Sequence, residues 1–197
     1  ELQMLRSQIN PHFLYNTLEN MRMSAYTQGY TDLSEMCFLL SKVLRYGVSE
    51  QDKLVTVREE LEQLKNYTDL LHYCLPALQI FVFVDDQIMD YSIIKVILQP
   101  LVENAVQHGI HDCMETGKIR MSIHKDGDDL EIIVSDNGAG MTQEMIQSVM
   151  AGKARNNGED RYSTGIAVGN VIDRLELYYK QKDLLTIESE GLGLGTS

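Results

Sequence analysis

The spacing of apolar residues changes near Pro76, and this change limits the possible folds more than any other feature of the chain. Before Pro76 the apolar residues recur every three or four positions, which is the spacing of an amphipathic helix. Beyond it, two segments alternate apolar and polar residues, as half-buried strands do. The alternating positions are Ile119, Met121 and Ile123 in the first segment and Leu130, Ile132 and Val134 in the second. We therefore expect an α+β protein, with a helical module over 1–75 and an α/β module over 76–197.

Local start and stop signals divide the N-terminal module into three helices. Gly29 ends the first helix. Asp32 and Glu35 have the spacing of a capping box, which opens the second helix. Thr56 and Glu59 repeat that spacing and open the third. Helices with short connections pack antiparallel, and one such hairpin buries little apolar surface alone, so a dimeric four-helix bundle is expected.

The C-terminal module mixes helices with strands. Its predicted elements are a strand over 78–84, a helix over 92–107, the two alternating strands, helices over 143–150 and 167–180, and a strand over 184–188. A polar stretch from Gly138 to Thr164 contains only the shorter of these helices. The chain shows no internal repeat.

The charge of the chain argues against two classes of partner. The sequence has 29 acidic and 17 basic residues, for a formal net charge of −12 at pH 7. The cations are dispersed and form no stripe that could follow a phosphate backbone, so no nucleic acid partner is expected. The same balance disfavours docking on an anionic membrane surface. The three cysteines are odd in number and widely spaced, which indicates a reducing compartment rather than a disulfide framework.

A short motif, Asp136-Asn137-Gly138-Ala139-Gly140, directly follows the second alternating strand. An aspartate that leaves a sheet edge can accept a hydrogen bond from an exocyclic amine. Glycines allow the backbone to pass close to a flat ring. A tight turn is the alternative interpretation, because asparagine and glycine favour turns.

A second group of polar residues lies on the predicted helix over 92–107. The carboxamide oxygen of Asn104 is a reasonable ligand for Mg²⁺ that is otherwise coordinated by phosphates and water. His108 is four residues further on the same face and could donate to a phosphate. Helix capping or simple surface polarity would also explain both residues. Downstream, Gly165 opens another helix, whose free N–H groups can hold an anion.

These motifs, with Gly193-Leu194-Gly195-Thr196 after them, resemble in their order the nucleotide-binding domain of the GHKL ATPase superfamily, specifically its histidine kinases. The stretch 99–109, Gln-Pro-Leu-Val-Glu-Asn-Ala-Val-Gln-His-Gly, is similar to the LytS/YesM branch of sensor histidine kinases. The stretch 8–18, Gln-Ile-Asn-Pro-His-Phe-Leu-Tyr-Asn-Thr-Leu, is similar to the same branch. The resemblance covers nearly the whole chain.

The resemblance implies both a fold and partners. The fold would be a helical dimerisation and phosphoacceptor hairpin, followed by a two-layer sandwich of the GHKL (Bergerat) type with a mixed sheet and a truncated last strand. The partners would be a second copy of the chain and the receiver domain of a response regulator. The chain would be the cytoplasmic portion of a membrane-anchored bacterial sensor, joined to the membrane only through segments absent from this sequence.

The resemblance also implies roles for individual residues. His12 would accept the γ-phosphoryl group of ATP and pass it to an aspartate of the regulator. Asp136 would contact adenine, and Asn104 would hold Mg²⁺. The other residues that the resemblance assigns to the nucleotide pocket are His108, Gly138, Gly140, Gly165 and Thr196.

Two departures from the family pattern leave alternatives open. Ala167 stands where the family usually has glycine, which motivates an ATP-sensing interaction module with little or no kinase activity. Phe13 replaces the acidic neighbour that follows the acceptor histidine in many other histidine kinases, so the general base is not assigned. A GHKL conformational ATPase is a further alternative, against which His12 in its Pro-His-Phe setting argues.

Overall fold

The computed structural model describes residues 11–48, 53–110, 117–150 and 164–197. The helices are α1 (Pro11–Thr27), α2 (Thr31–Val48), α3 (Val57–Cys74), α4 (Leu98–Asn104), α5 (Gln143–Met150) and α6 (Thr164–Tyr179). The strands are β1 (Leu54–Thr56), β2 (Gln79–Val84), β3 (Ser92–Ile94), β4 (Lys118–Asp126) and β5 (Asp129–Asp136). A single 3₁₀ turn covers Asp86–Ile88, and α4 continues as a π-helix over Ala105–Ile110. No helix in these described ranges has the length and apolar character needed to cross a membrane.

The first two helices form the predicted hairpin. Gly29 lies just beyond α1 with φ +80°, and its N–H donates to the carbonyl oxygen of Tyr26 at 3.1 Å. The N–H of Tyr30 reaches back to the carbonyl oxygen of Ala25 at 2.9 Å. This pair of bonds is a Schellman motif, which satisfies carbonyl groups at the end of a helix and reverses the chain. The prediction that Gly29 ends the first helix is therefore confirmed.

The two predicted capping boxes have different outcomes. At α3 the box is complete, because the N–H of Glu59 donates to Thr56 Oγ1 at 3.2 Å and the N–H of Thr56 donates to Glu59 Oε2 at 2.8 Å. At α2 the predicted start is wrong, because the helix begins at Thr31 and Asp32 lies within its first turn. A carboxylate in that position still interacts favourably with the helix dipole.

The main sheet is mixed, as predicted. Its order is β2–β4–β5, with β2 parallel and β5 antiparallel to the central β4. The alternation in β4 is confirmed, since Ile119, Met121 and Ile123 are buried and face the helices. They pack in one apolar cluster with Val102 of α4 and Val171 of α6. The result is a two-layer arrangement of helices on one face of a sheet.

The third helix contacts both modules. It packs against α2, while its Val57 and Leu64 are buried in the apolar cluster of the C-terminal module. The short strand β1 just before it pairs with β3 in a second, two-stranded antiparallel sheet. Residues 54–74 therefore contribute to the core of the C-terminal module, and a domain division at Pro76 stays a proposal.

Two predicted elements in the C-terminal module are wrong. The helix expected over 92–107 begins only at Leu98, because 92–94 are taken into β3 by pairing with 54–56. The strand expected over 184–188 does not form. Glu188 instead exchanges two backbone hydrogen bonds with Ser197, at 2.7 and 2.8 Å, and so joins the end of the described chain.

Candidate functional site

A cavity of about 490 Å³ opens between α4, α6, β5 and the segment 184–197. Its lining includes Asn104 from α4, Asp136 from the end of β5, and Thr196. Met141 and Val168 supply apolar surface to the same cavity. A concave space in which apolar side chains and a few polar groups converge is the usual form of a small-molecule site. Three residues that the sequence predicts for a nucleotide pocket thus meet in one place.

Asp136 is held at the rim of this cavity by its own loop and by the C-terminal segment. Its Oδ1 accepts a hydrogen bond from the N–H of Gly138 at 2.8 Å. Its backbone N–H donates to the carbonyl oxygen of Thr196 at 2.9 Å, in an isolated antiparallel bridge. Burial raises the pKa of the Asp136 carboxyl above its ordinary value, and backbone hydrogen bonds from Gly138 and Thr196 partly oppose that rise.

Two glycines permit close contact between the Asp136 loop and the C-terminal segment. Gly140 has φ +64°, and a Cβ there would overlap the carbonyl oxygen of Gly191. Gly195 has φ +79°, and a Cβ there would overlap the carbonyl oxygen of Asp136. Only glycine meets both requirements, the left-handed backbone and the absent side chain. Of these two positions, the sequence prediction included Gly140 and omitted Gly195 from the pocket.

Ser189 fastens the same two segments together. Its Oγ accepts a hydrogen bond from the N–H of Met141 at 3.0 Å and donates to the carbonyl oxygen of Gly195 at 2.6 Å. Nearby, the N–H of Gly193 donates to the carbonyl oxygen of Ala139 at 2.6 Å. The loop that carries Asp136 is therefore fixed by residues 189–196 along most of its length.

Asn104, a residue of the cavity lining, carries an unusual buried oxygen. It is the last residue of α4, at the point where the helix changes to the wider π form. Its Oδ1 is buried and accepts no hydrogen bond from any residue within the described ranges. An unpaired buried carbonyl oxygen costs about 1–3 kcal/mol, so such a group usually has a partner in the working protein. A carboxamide oxygen in that position suits a hard cation such as Mg²⁺.

His12 lies away from the cavity, on the exposed face of α1. The Nδ2 of Asn16, one helical turn further on, lies 3.3 Å from Nδ1 and 3.4 Å from Nε2 of His12. Within the described ranges, α1 contributes no residue to the cavity lining. The structure therefore separates the predicted phosphoacceptor from the predicted pocket.

The remaining predicted residues are described only in part. Gly138 donates to Asp136, as above, and Gly165 lies in the first turn of α6. The side chains of His108 and Ala167 lie outside the described residues.

Sequence reasoning missed Glu60 and Ser189. Glu60 is 2% exposed, and its carboxylate accepts hydrogen bonds from backbone N–H groups at the start of α4. One signal could have revealed it: Glu60 falls between Val57 and Leu64 on the apolar face of α3, where a charge needs a partner. No comparable signal marks Ser189, because its partners are distant in sequence.

Two protein families match this chain. The family described as "Histidine kinase" matches residues 1–77. The family described as "Histidine kinase-, DNA gyrase B-, and HSP90-like ATPase" matches residues 89–196, which is more than half of the chain.

Individual relatives agree with these families. The chain is 31% identical to sensor histidine kinase YesM of Bacillus subtilis (strain 168), over 96% of this chain and 31% of the relative. It is 32% identical to sensor histidine kinase YpdA of Escherichia coli (strain K12), over 91% of this chain and 30% of the relative. The chain therefore spans about a third of the length of the curated relatives it matches.

A solved structure shows the same fold. The catalytic domain of histidine kinase ThkA superposes with a TM-score of 0.56 at 15% identity, over 73% of this chain and 90% of that domain. Fold, motif order and family matches agree with one another. The chain belongs to the histidine kinases, in the LytS/YesM branch, and its C-terminal part is an ATP-binding domain of the histidine kinase-, DNA gyrase B- and HSP90-like ATPase family.

Proposed function

We propose that this chain phosphorylates itself on His12 from ATP bound in the cavity and then transfers the phosphoryl group to an aspartate of a response regulator. The observation that carries the proposal is the exposed His12 imidazole, beside the Asn16 amide, in a chain whose C-terminal part is an ATP-binding domain. An acceptor must be exposed to meet first a nucleotide and then a separate protein.

The chemistry requires a ring nitrogen with a free lone pair. A neutral imidazole nitrogen of His12 attacks the γ-phosphorus of ATP, and the bond from that phosphorus to the bridging oxygen breaks as ADP leaves. Loss of the remaining ring proton to water leaves a neutral imidazole ring that carries the anionic phosphoryl group. In the second step the regulator's carboxylate attacks the phosphorus, and the electrons of the N–P bond return to the imidazole, which regains a proton. Asn16 is suited to orient the ring in both steps.

The nucleotide would occupy the cavity with its adenine against Asp136. Asp136 belongs to the cavity lining, and its carboxylate can accept a hydrogen bond from the exocyclic amine of adenine. Gly138 and Gly140 have no side chains, so the backbone of the loop can approach the base closely. Thr196 lies beside them, paired with Asp136. Gly165 and His108 are assigned to the phosphates by resemblance alone.

Asn104 would hold Mg²⁺ bound with the nucleotide. The fit rests on two observations: Asn104 belongs to the cavity lining, and its buried Oδ1 has no hydrogen-bond partner among the described residues. When bound, Mg²⁺ neutralises charge on the phosphate oxygens of the nucleotide. The helix α4 supplies the position of the ligand oxygen.

The assembly we propose is a homodimer that meets a receiver domain. The chain would form the cytoplasmic part of a longer, membrane-anchored sensor, with the membrane reached through segments outside this sequence. The curated relatives support this because they are named as sensors and are about three times as long.

Labelling with ATP tests the function directly. We expect incubation with γ-labelled ATP and Mg²⁺ to leave label on the protein that is lost in acid and kept in alkali, as a phosphohistidine is. His12→Gln should abolish this label and leave ADP affinity unchanged, because the acceptor lies outside the cavity. The exposed His72 offers a matched control, and His72→Gln should label normally.

Other outcomes of the same experiment would contradict the proposal. Alkali-stable label in His12→Gln would remove the acceptor assignment. Nucleotide binding without label would favour an ATP-sensing module, and phosphate release without label would favour a conformational ATPase.

A further inference from the structure

A buried carboxylate outside the cavity controls the turn that leads into α4. Glu60 projects from α3, and its Oε1 accepts a hydrogen bond from the N–H of Val96 at 2.6 Å. Its Oε2 accepts from the N–H of Ile97 at 3.2 Å and, more weakly, from that of Leu98 at 3.4 Å. The hydroxyl of Tyr46 on α2 donates to the same Oε1. A carboxylate with donors on both oxygens compensates for its removal from water.

The turn that Glu60 grips has an unfavourable backbone. Val96 has φ +55°, a left-handed conformation that is rare for any residue with a Cβ and a genuine outlier for a β-branched one. Such a conformation persists only where the surroundings enforce it. Nothing in the local sequence favours it, since neither glycine nor asparagine stands in 95–98.

A second charged side chain, Arg174, binds the carbonyl groups of the same turn. Arg174 of α6 donates through Nη1 to the carbonyl oxygen of Val96 at 2.7 Å and through Nη2 to that of Lys95 at 2.6 Å. Glu60 thus takes the N–H groups of the turn and Arg174 takes its carbonyl groups. The two side chains, from two different helices, together hold the strained residue between them.

The turn determines where Asn104 lies. The helix α4 begins at Leu98, directly after the turn, and ends at Asn104. Leu98 and Val102 are completely buried in the apolar core, so both turns of α4 are held by packing. A change of backbone at Val96 would therefore rotate or shift α4 and carry the Asn104 oxygen with it.

We propose that Glu60 is a positioning residue for nucleotide binding, which acts by holding Val96 in its left-handed conformation and so placing Asn104. The inference rests on the proposed function, because it takes Asn104 to be the magnesium ligand. Arg174 has the same role from the other side of the turn.

The decisive experiment relieves the strain by a second substitution. In Glu60→Gln one acceptor oxygen is replaced by an NH₂ group that faces backbone donors, so the grip on the turn is lost. We expect ADP affinity in Mg²⁺ to fall by about tenfold or more, and the difference between affinity in Mg²⁺ and in EDTA to shrink. Adding Val96→Gly should restore ADP affinity to within about threefold of wild type, because glycine adopts positive φ without a clamp.

The exposed Glu62 on the same helix provides the matched control, and Glu62→Gln should bind ADP as wild type does. A residue that merely stabilised the core would lower the melting temperature when changed, and Val96→Gly could not rescue it. Wild-type affinity in Glu60→Gln, or a double variant as weak as Glu60→Gln alone, would overturn the inference. If Glu60→Gln does not fold, Arg174→Lys with and without Val96→Gly makes the same comparison.

Asn104→Ala separates failure of this inference from failure of the proposed function. If Asn104→Ala loses the magnesium dependence and Glu60→Gln keeps it, the inference alone fails. If wild-type affinity for ADP is the same in Mg²⁺ and in EDTA, the magnesium role of Asn104 fails and the inference fails with it.

Discussion

Asp136 carries its carboxyl group in a partly buried position, where loss of water raises its pKa. Because the pKa is higher in the folded than in the unfolded protein, the stability linked to this group is fully present below the unfolded pKa. That stability is lost as the pH rises through the folded pKa. Near neutral pH the ionised carboxylate therefore opposes folding of the empty protein, although the same charge is available to a ligand amine.

Asp136→Asn should separate these two effects. We expect a higher melting temperature than wild type for the empty protein at pH 7, and a smaller difference as the pH falls towards 4, since asparagine has no charge to bury. Affinity for ATP and for ADP should fall alike, by roughly tenfold or more, because one acceptor oxygen is replaced by an NH₂ group that cannot accept from the adenine amine. Thermal melting over a pH series and nucleotide titration measure both.

The exposed Asp128 supplies the control for that experiment. Asp128→Asn should change neither melting temperature nor affinity appreciably, since its carboxyl lies in water. Unchanged affinity for both nucleotides in Asp136→Asn would remove the adenine role from this residue.

Single residues of the site were predictable to the extent that their reason is local. Asp136 and Gly140 belong to one short motif after a strand, and the structure brings both to the cavity wall. Glu60 and Ser189 act on segments distant in sequence, and no local pattern specifies what they bind. The backbone of Val96 was even less predictable. A β-branched side chain favours an extended or helical backbone with negative φ, and the observed φ is positive.

At the scale of elements, the start of α3 offers a sharp test of local stability. Thr56→Ala removes the side-chain acceptor of the capping box, so the free energy of unfolding should fall by about 1 kcal/mol. Chemical denaturation would show this as a lower midpoint with an unchanged slope.

Thr68 serves as the matched control within the same helix. Its hydroxyl donates only to the carbonyl oxygen of Lys65, and alanine is the better helix former. Thr68→Ala should therefore leave stability unchanged or slightly raised. An equal fall in the free energy of unfolding in both variants would show that the capping box contributes no specific stabilisation.

The predicted elements hold where neighbours in sequence decide the structure. The capping box of α3, the glycine after α1 and the alternation of β4 are all local, and all are observed. The helix predicted over 92–107 is too long because Ile93 and Ile94 pair with residues about 40 positions earlier. Periodicity alone cannot distinguish a short buried strand from the first turn of a buried helix.

At the scale of the whole molecule, the hairpin exposes apolar side chains that a second copy could cover. Phe13 is 66% exposed and Met21 is 54% exposed, both on α1. Large contiguous apolar surface is uncommon on soluble monomers and marks sites of association. A dimer formed through α1 and α2 would bury this surface in a four-helix bundle.

Sedimentation velocity tests the dimer on the intact chain. We expect a dimer at micromolar concentration, and Met21→Glu should shift it towards monomer, because two buried carboxylates would face an apolar partner. Phe81 on β2 is exposed to a similar degree but lies on the sheet, so Phe81→Glu should remain dimeric. A monomeric wild-type chain at these concentrations would contradict the proposal.

The loop after β5 and the segment 184–197 both contribute to the cavity, although they are far apart in the sequence. Met141 of the cavity lining donates its N–H to Ser189 Oγ, and the two residues are 48 positions apart. Contacts of such long sequence separation carry an entropic cost of loop closure, which must be offset by the packing of both segments. The site for a nucleotide is therefore complete only when both stretches of chain are folded, and the unfolded chain has no comparable site. Bound nucleotide would therefore lower the rate of unfolding and leave the rate of folding unchanged. The lifetime of the native state would then depend on how much of the protein has nucleotide bound.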